Sequence, residues 1–212
     1  HSGTNPGLQV EMGLTGAIIV RPPSFDAGAP DAYLAYGHAD TAYGHEQLFF
    51  LTEMDPRIHT EVEFNGPDTP MVQEYLDNYF SNYWFINGRT APDNFSAAFV
   101  NWLPTQPYNS VPIMHAGDTL LMRVVGAGRD LHPFHHHGNH ATTIARDGRL
   151  LESAPGMGPD LATEQFTIAT VPGKTVDALF EWTGKGLNWD IYGGTDVDMP
   201  HDCNGKAVGE AQ

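Results

Sequence analysis

The apolar residues of this chain come in short runs that turn residues keep interrupting. Residues 47–53 (QLFFLTE), 83–86 (YWFI), 97–102 (AAFVNW), 119–125 (TLLMRVV), 141–145 (ATTIA), 164–168 (EQFTI) and 175–182 (TVDALFEW) each have strand length. Asp55-Pro56, Asn87-Gly88, Gly117-Asp118, Asp147-Gly148 and Pro172-Gly173 separate them or follow them. Strands of four to eight residues closed by Gly, Pro, Asn and Asp predict a β-sandwich or barrel. Near the start, residues 17–20 (AIIV) form another short strand, closed by Pro22-Pro23. Helical periodicity is scarce. Residues 70–80 predict one short helix, and 160–166 leave a helical turn open as an alternative to strand.

Within this pattern lies the run His132-Pro133-Phe134-His135-His136-His137-Gly138-Asn139-His140, which holds five of the eleven histidines. A buried imidazole needs partners for its nitrogens, and neutral imidazole is the commonest protein ligand for transition metals. On a strand, side chains two apart share a face. His135 and His137 therefore point one way and His136 the other. His132, before Pro133, is free to serve a different site, and Gly138 lets the chain turn after the pair. A nitrogen-rich set suits Cu or Zn and fits Mg or Ca poorly. The alternative is a set of hydrogen-bonded histidines at a loop or interface.

Charge and cysteine usage remove other classes. Twenty-six acidic against ten basic residues give a formal charge of −16, which argues against nucleic acid and anionic lipid as partners. Cys203 is the sole cysteine, so no internal disulfide forms. No run of about 18 apolar residues predicts a membrane span. Gly126-Ala127-Gly128 lacks the spacing of a dinucleotide fingerprint. His38, His45, His59 and His115 are further, weaker candidates for metal binding or hydrogen bonding. The aromatic group Tyr75, Tyr79, Phe80, Tyr83, Trp84 and Phe85 predicts core or interface.

The histidine run resembles the motif His-Pro-x-His-x-His-Gly-His of the last cupredoxin domain of multicopper oxidases. The stretches at His1-Ser2-Gly3-Thr4, Tyr83 to Arg89, Gly117-Asp118-Thr119 and Val171 to Thr175 are similar to other parts of that family. The resemblance implies an all-β, cupredoxin-like Greek-key β-sandwich, preceded by the terminal strands of an earlier cupredoxin domain. It divides the chain into the end of that domain (1–24), a connector with shared strands (25–82) and a second cupredoxin-like domain (83–212). It implies a copper-binding oxidoreductase that passes electrons from a reducing substrate toward oxygen, outside the cytoplasm (periplasmic or secreted). By resemblance His132 is a type 1 copper ligand, and His135 and His137 belong to a trinuclear cluster. His1 and His140 complete the candidate metal ligands.

Several motif positions depart from the family. Gly3 and Asn139 stand where histidines are expected, with His140 one place late. Tyr192, Gly193 and Gly194 fall where the family has His, Cys and His. A type 1 centre rebuilt by Cys203 joining His132, with His201 and Met199 near it, is one way to recover the thiolate. Otherwise the missing ligands come from a companion chain, an upstream fragment or a homo-oligomer. The alternative is a degenerate cupredoxin with one copper or none, acting as a copper-binding, structural or assembly subunit. Asp118, Asp130 and Asp147 are candidates to orient the ligand histidines.

Overall fold

A computed structural model describes residues 3–29 and 33–183. His1, and the tail with Tyr192, Gly193, Gly194, Met199, His201 and Cys203, lie outside the described residues.

Among the described residues, nine strands build two sheets. They are β1 (His45–Met54), β2 (Tyr83–Ile86), β3 (Thr119–Gly126), β4 (His132–His135), β5 (Ala141–Arg146), β6 (Arg149–Leu150), β7 (Thr163–Gln165), β8 (Thr167–Thr170) and β9 (Thr175–Glu181). The large sheet has the order β2-β1-β3-β9-β5-β6, with β7 also paired to β5. All its pairs are antiparallel except β1 with β3. The small sheet pairs β4 with β8. After β3 the chain crosses to the small sheet, returns for β5, crosses again for β8 and returns for β9. This is the cupredoxin-like β-sandwich that the resemblance implies.

The central strand β3 is apolar on both faces because both are covered. Leu120, Met122 and Val124 join Phe49, Leu51, Val176 and Ala178 in the core between the sheets, which Ile168 and Phe134 close from the small sheet. On the outer face, Leu121 packs with Ile144, Ala145, Ala35 and Tyr43. Burial on two faces is what a near-continuous apolar strand requires. Arg123 shares that outer face and forms ion pairs there with Glu46 and, at 2.9 Å, Asp177.

The turns follow their sequences. Asn87 and Gly88 take positive φ (54° and 77°), as do Asp147 and Gly148 (50° and 72°), the geometry of a tight two-residue hairpin turn. Residues 70–80 give α3 (Pro70–Asp77), N-capped by Thr69.

Three expectations fail. Residues 17–20 join no ladder among the described residues, and Ile18 and Val20 are 93 % and 84 % exposed. Upstream of them lies a short helix, α1 (Pro6–Glu11), and a further helix, α2 (Pro56–Asn65), follows β1. Leu8, Ile58, Val72 and Leu76 bury one another between these three helices. Residues 97–102 form turns, not a strand. Residues 164–168 split between β7 and β8, one strand for each sheet.

Candidate metal centre

Strand β4 leaves the core with its alternation intact. His132 and Phe134 face inward, and Phe134 packs against Phe49 with ring centroids 4.7 Å apart and planes tilted by 42°. Pro133 and His135 face outward. The alternation continues past the strand, so His136 is half-buried and His137 exposed.

His135 and His137 therefore come together, with ring centroids 5.1 Å apart and planes at 79°. His135 lies opposite Thr167 in the ladder. Its Nδ1 is 2.8 Å from Thr167 Oγ1, which leaves Nε2 as the nitrogen available to a ligand. An outer hydrogen bond of this kind holds the ring of a metal-binding histidine in place.

His136 points the other way, edge-on to Phe180 at 5.5 Å and beside Phe166 at 6.2 Å. Both of its ring nitrogens are buried without a well-formed hydrogen bond. Burial, together with His135, His140 and His137 nearby, holds its pKa below the usual imidazole value against the pull of a backbone contact with Asn139. Gly138 turns the chain at φ 103°, where a Cβ would meet Phe180 at 3.1 Å. Asn139 donates to the Glu181 carbonyl at 2.8 Å. His140 lies against Phe166, with ring centroids 3.8 Å apart and planes tilted by 35°.

His132 is engaged elsewhere. Its Nε2 lies 2.6 Å from Oε2 of Glu53, a carboxylate with 0 % side-chain exposure. Glu53 also accepts the backbone amides of Arg129 and, at 2.8 Å, Asp130. Burial pushes the Glu53 carboxyl up. The His132 hydrogen bond, the two amides and the His132 charge outweigh burial and hold it below the ordinary carboxylate value. Gly128 makes room for this carboxylate, since a Cβ there would sit 2.2 Å from Oε2.

The candidate set thus divides. His135 and His137 are brought together, His140 lies against Phe166, and His132 is paired with Glu53. Among the described residues, no three His, Cys, Asp or Glu side chains converge to hold a metal ion. The donor pair fits part of the shell of a Cu or Zn ion. It does not fit a complete type 1 centre, which needs a thiolate, or a trinuclear cluster.

None of the three acids proposed to orient ligands does so. Asp118 binds His45 at 2.9 Å and the His115 amide at 2.8 Å. Asp130 accepts from Ser81, and Asp147 pairs with Lys174. The orienting group is Thr167, which sequence reasoning passed over. His38 caps a short 3₁₀ turn (Ala39–Thr41), and His59 pairs with the buried Glu11 at 3.1 Å.

A cleft of about 840 Å³ borders the run at Gly138, Asn139 and His140, with Asp40, Glu164 and Glu181 among its lining.

No family model and no curated protein matches this chain. Solved structures similar to it include a blue copper oxidase from Nitrosomonas europaea (19 % identity, TM-score 0.43, covering 66 % of this chain and 34 % of that one). A multicopper oxidase from Campylobacter jejuni, a metallo-oxidase, is 16 % identical, with TM-score 0.36 and coverage of 67 % and 25 %. A copper-containing nitrite reductase from Thermus scotoductus is 11 % identical, with TM-score 0.40 and coverage of 68 % and 25 %. All three are copper enzymes. The chain spans about a third of their length or less.

No helix among the described residues is long and apolar enough to cross a membrane.

Proposed function

We propose that this chain is a copper-binding protein of the oxidoreductase kind. It contributes His135 and His137 to a copper centre that residues outside the described part, or another chain, complete. The observation that carries this reading is the outward-facing imidazole pair, with one ring already held by Thr167. In the completed assembly the activity is electron transfer from a reducing substrate toward oxygen, outside the cytoplasm.

Copper, where bound, supplies one-electron redox chemistry. The chain's own residues supply position and field. Thr167 engages Nδ1 of His135, so that Nε2 is the ring nitrogen left facing a ligand. His136, wedged beside Phe180 and Phe166, anchors the backbone between the two outward rings. The formal charge of −16 favours approach of cations to the site.

A second reading has its own support. His132, the type 1 candidate, is hydrogen-bonded to Glu53, and no three-ligand group stands among the described residues. This favours a degenerate cupredoxin with one copper or none, serving a structural or assembly role. Metal analysis after copper loading separates the two, together with oxygen uptake on a phenolic donor. Three or four coppers per assembly with oxygen uptake support the oxidase. One copper without uptake supports the degenerate site, and no copper removes the metal reading altogether.

A further inference from the structure

Three clefts flank residues 15–20 where they pass β3 and β9, and each is lined by one cation. They differ in what answers that cation. In a cleft of about 270 Å³ it is Arg123, ion-paired with Glu46 and, at 2.9 Å, Asp177. In one of about 450 Å³ it is Lys174, 2.6 Å from Asp147. In the third, of about 390 Å³, it is Arg129, whose side chain pairs with no carboxylate among the described residues. No Asp or Glu lines this third cleft, in a chain of net charge −16.

Arg129 is held in place. Its Nη2 donates to the Leu76 carbonyl at 3.0 Å, and its guanidinium lies 4.4 Å from the centre of the Tyr79 ring. Its Nη1 is buried without a hydrogen-bond partner. A buried charged donor left unmet costs more than a neutral one. An acceptor that brings both a hydrogen bond and a negative charge is therefore worth most here. The carboxylate of Glu53 is already engaged by His132 and by the amides of Arg129 and Asp130.

The walls set the class of ligand. One is the turn Gly126-Ala127-Gly128, where a Cβ at either glycine would strike the Val171 carbonyl or the Glu53 carboxylate, so the wall is bare backbone. Val10 of α1, Val125 at the end of β3 and Pro172 add apolar surface. The volume is at the small end of the range for ligand pockets. One guanidinium, with a nitrogen already spent on Leu76, suits a monoanion, whereas a phosphate dianion needs further donors. We infer that this cleft binds a small alkyl carboxylate, its charged end on Arg129 and its chain against Val10, Val125 and Pro172. The cleft shares no residue with the His135–His137 pair, and EDTA-treated protein keeps its failure separate from that of the copper reading.

NMR titration of the full EDTA-treated chain with acetate, propionate and butyrate tests the inference. Ligand is raised to about 50 mM, where a millimolar Kd is saturated, with chloride exchanged out to hold the ionic strength. Butyrate is expected to shift the amides of Gly126, Gly128 and Gly173, which line the cleft. Affinity is expected to rise about fourfold for each added methylene. Arg129→Gln is expected to weaken butyrate binding by about tenfold or more. Lys174→Gln, which removes the cation of a neighbouring cleft, is expected to keep the wild-type affinity. If Arg129→Gln does not fold, the amide shifts and the chain-length trend of the wild type still decide. No binding overturns the inference, as do shifts confined to other amides or an affinity that ignores chain length. Equal losses in the two variants would overturn it as a general charge effect. Inorganic phosphate binding more tightly than butyrate would overturn the assignment to a carboxylate.

Discussion

His132 Nε2 and Glu53 Oε2 lie 2.6 Å apart, and the Glu53 side chain has no exposure to solvent. This pair explains why the first histidine of the run stands apart from the next two. A buried carboxylate needs partners for its lone pairs. Glu53 takes them from His132 and the amides of Arg129 and Asp130, joining β1 to the start of β4.

The first prediction concerns that join. Removing one member of a buried hydrogen-bonded pair leaves the other without its partner. His132→Ala and Glu53→Ala should each destabilise the protein by about 1–3 kcal/mol in urea denaturation. The double variant should cost less than the sum of the two, because the residues share one interaction. Additive losses would show that the pair is not coupled.

Thr167 offers a cleaner probe of the metal centre. Thr167→Val keeps the shape and removes the hydrogen bond to His135 Nδ1. Copper affinity should fall about 10–100-fold, the usual cost of losing an outer partner of a ligand histidine. Isothermal titration with copper reads the change, and retention of wild-type affinity would separate Thr167 from the site.

His136 is predicted to cost stability. Its ring nitrogens are buried without well-formed hydrogen bonds, and an unsatisfied polar group is more expensive than an apolar one of similar size. His136→Leu should raise stability at neutral pH by about 0.5–1.5 kcal/mol. Thermal and urea midpoints check the sign.

Acid should weaken the fold through two buried carboxylates. Asp55 has 0 % side-chain exposure and caps α2 by accepting the Arg57 amide at 3.0 Å. Burial pushes its pKa up. Hydrogen bonds from the Arg57 side chain and from the amides of Phe80 and Arg57 outweigh burial and hold it below the usual value. Glu53 is lowered in the same direction. For a carboxyl lowered by folding, the stabilisation is present above the unfolded pKa and lost as pH falls through the folded one. Glu11, raised chiefly by burial, has the opposite sign, its contribution being lost as pH rises. Urea midpoints should therefore drop below about pH 4. Asp55→Asn should be less stable at neutral pH and show a flatter decline toward acid.

The strands were legible because their apolar runs end at residues with a fixed geometry. Asn87-Gly88 and Asp147-Gly148 turn where their sequences require it, and β4 keeps the two-residue alternation that places His135 with His137. What escaped depends on distant pairing. Thr167 meets His135 only because β8 lies beside β4 in one register. Glu53 reaches His132 across two sheets, and its one sequence signal is an acid inside the apolar run 47–53. Residues 17–20 looked like a strand because they are apolar, yet no ladder partner stands beside them among the described residues, and their composition carries no information about that. The helix α2 was hidden because Pro56, which ends β1, also opens a helix at its first position.

The central claim is that His135 and His137 bind copper while His132 serves the fold. Copper content per chain, measured by mass spectrometry after loading and desalting, tests it most directly in the wild type, His132→Ala and His135→Ala/His137→Ala. The account predicts bound copper in the wild type, copper retained in folded His132→Ala, and copper lost from the double variant with stability changed by no more than about 0.5 kcal/mol. Copper retained by the double variant, or lost only with His132, would contradict it.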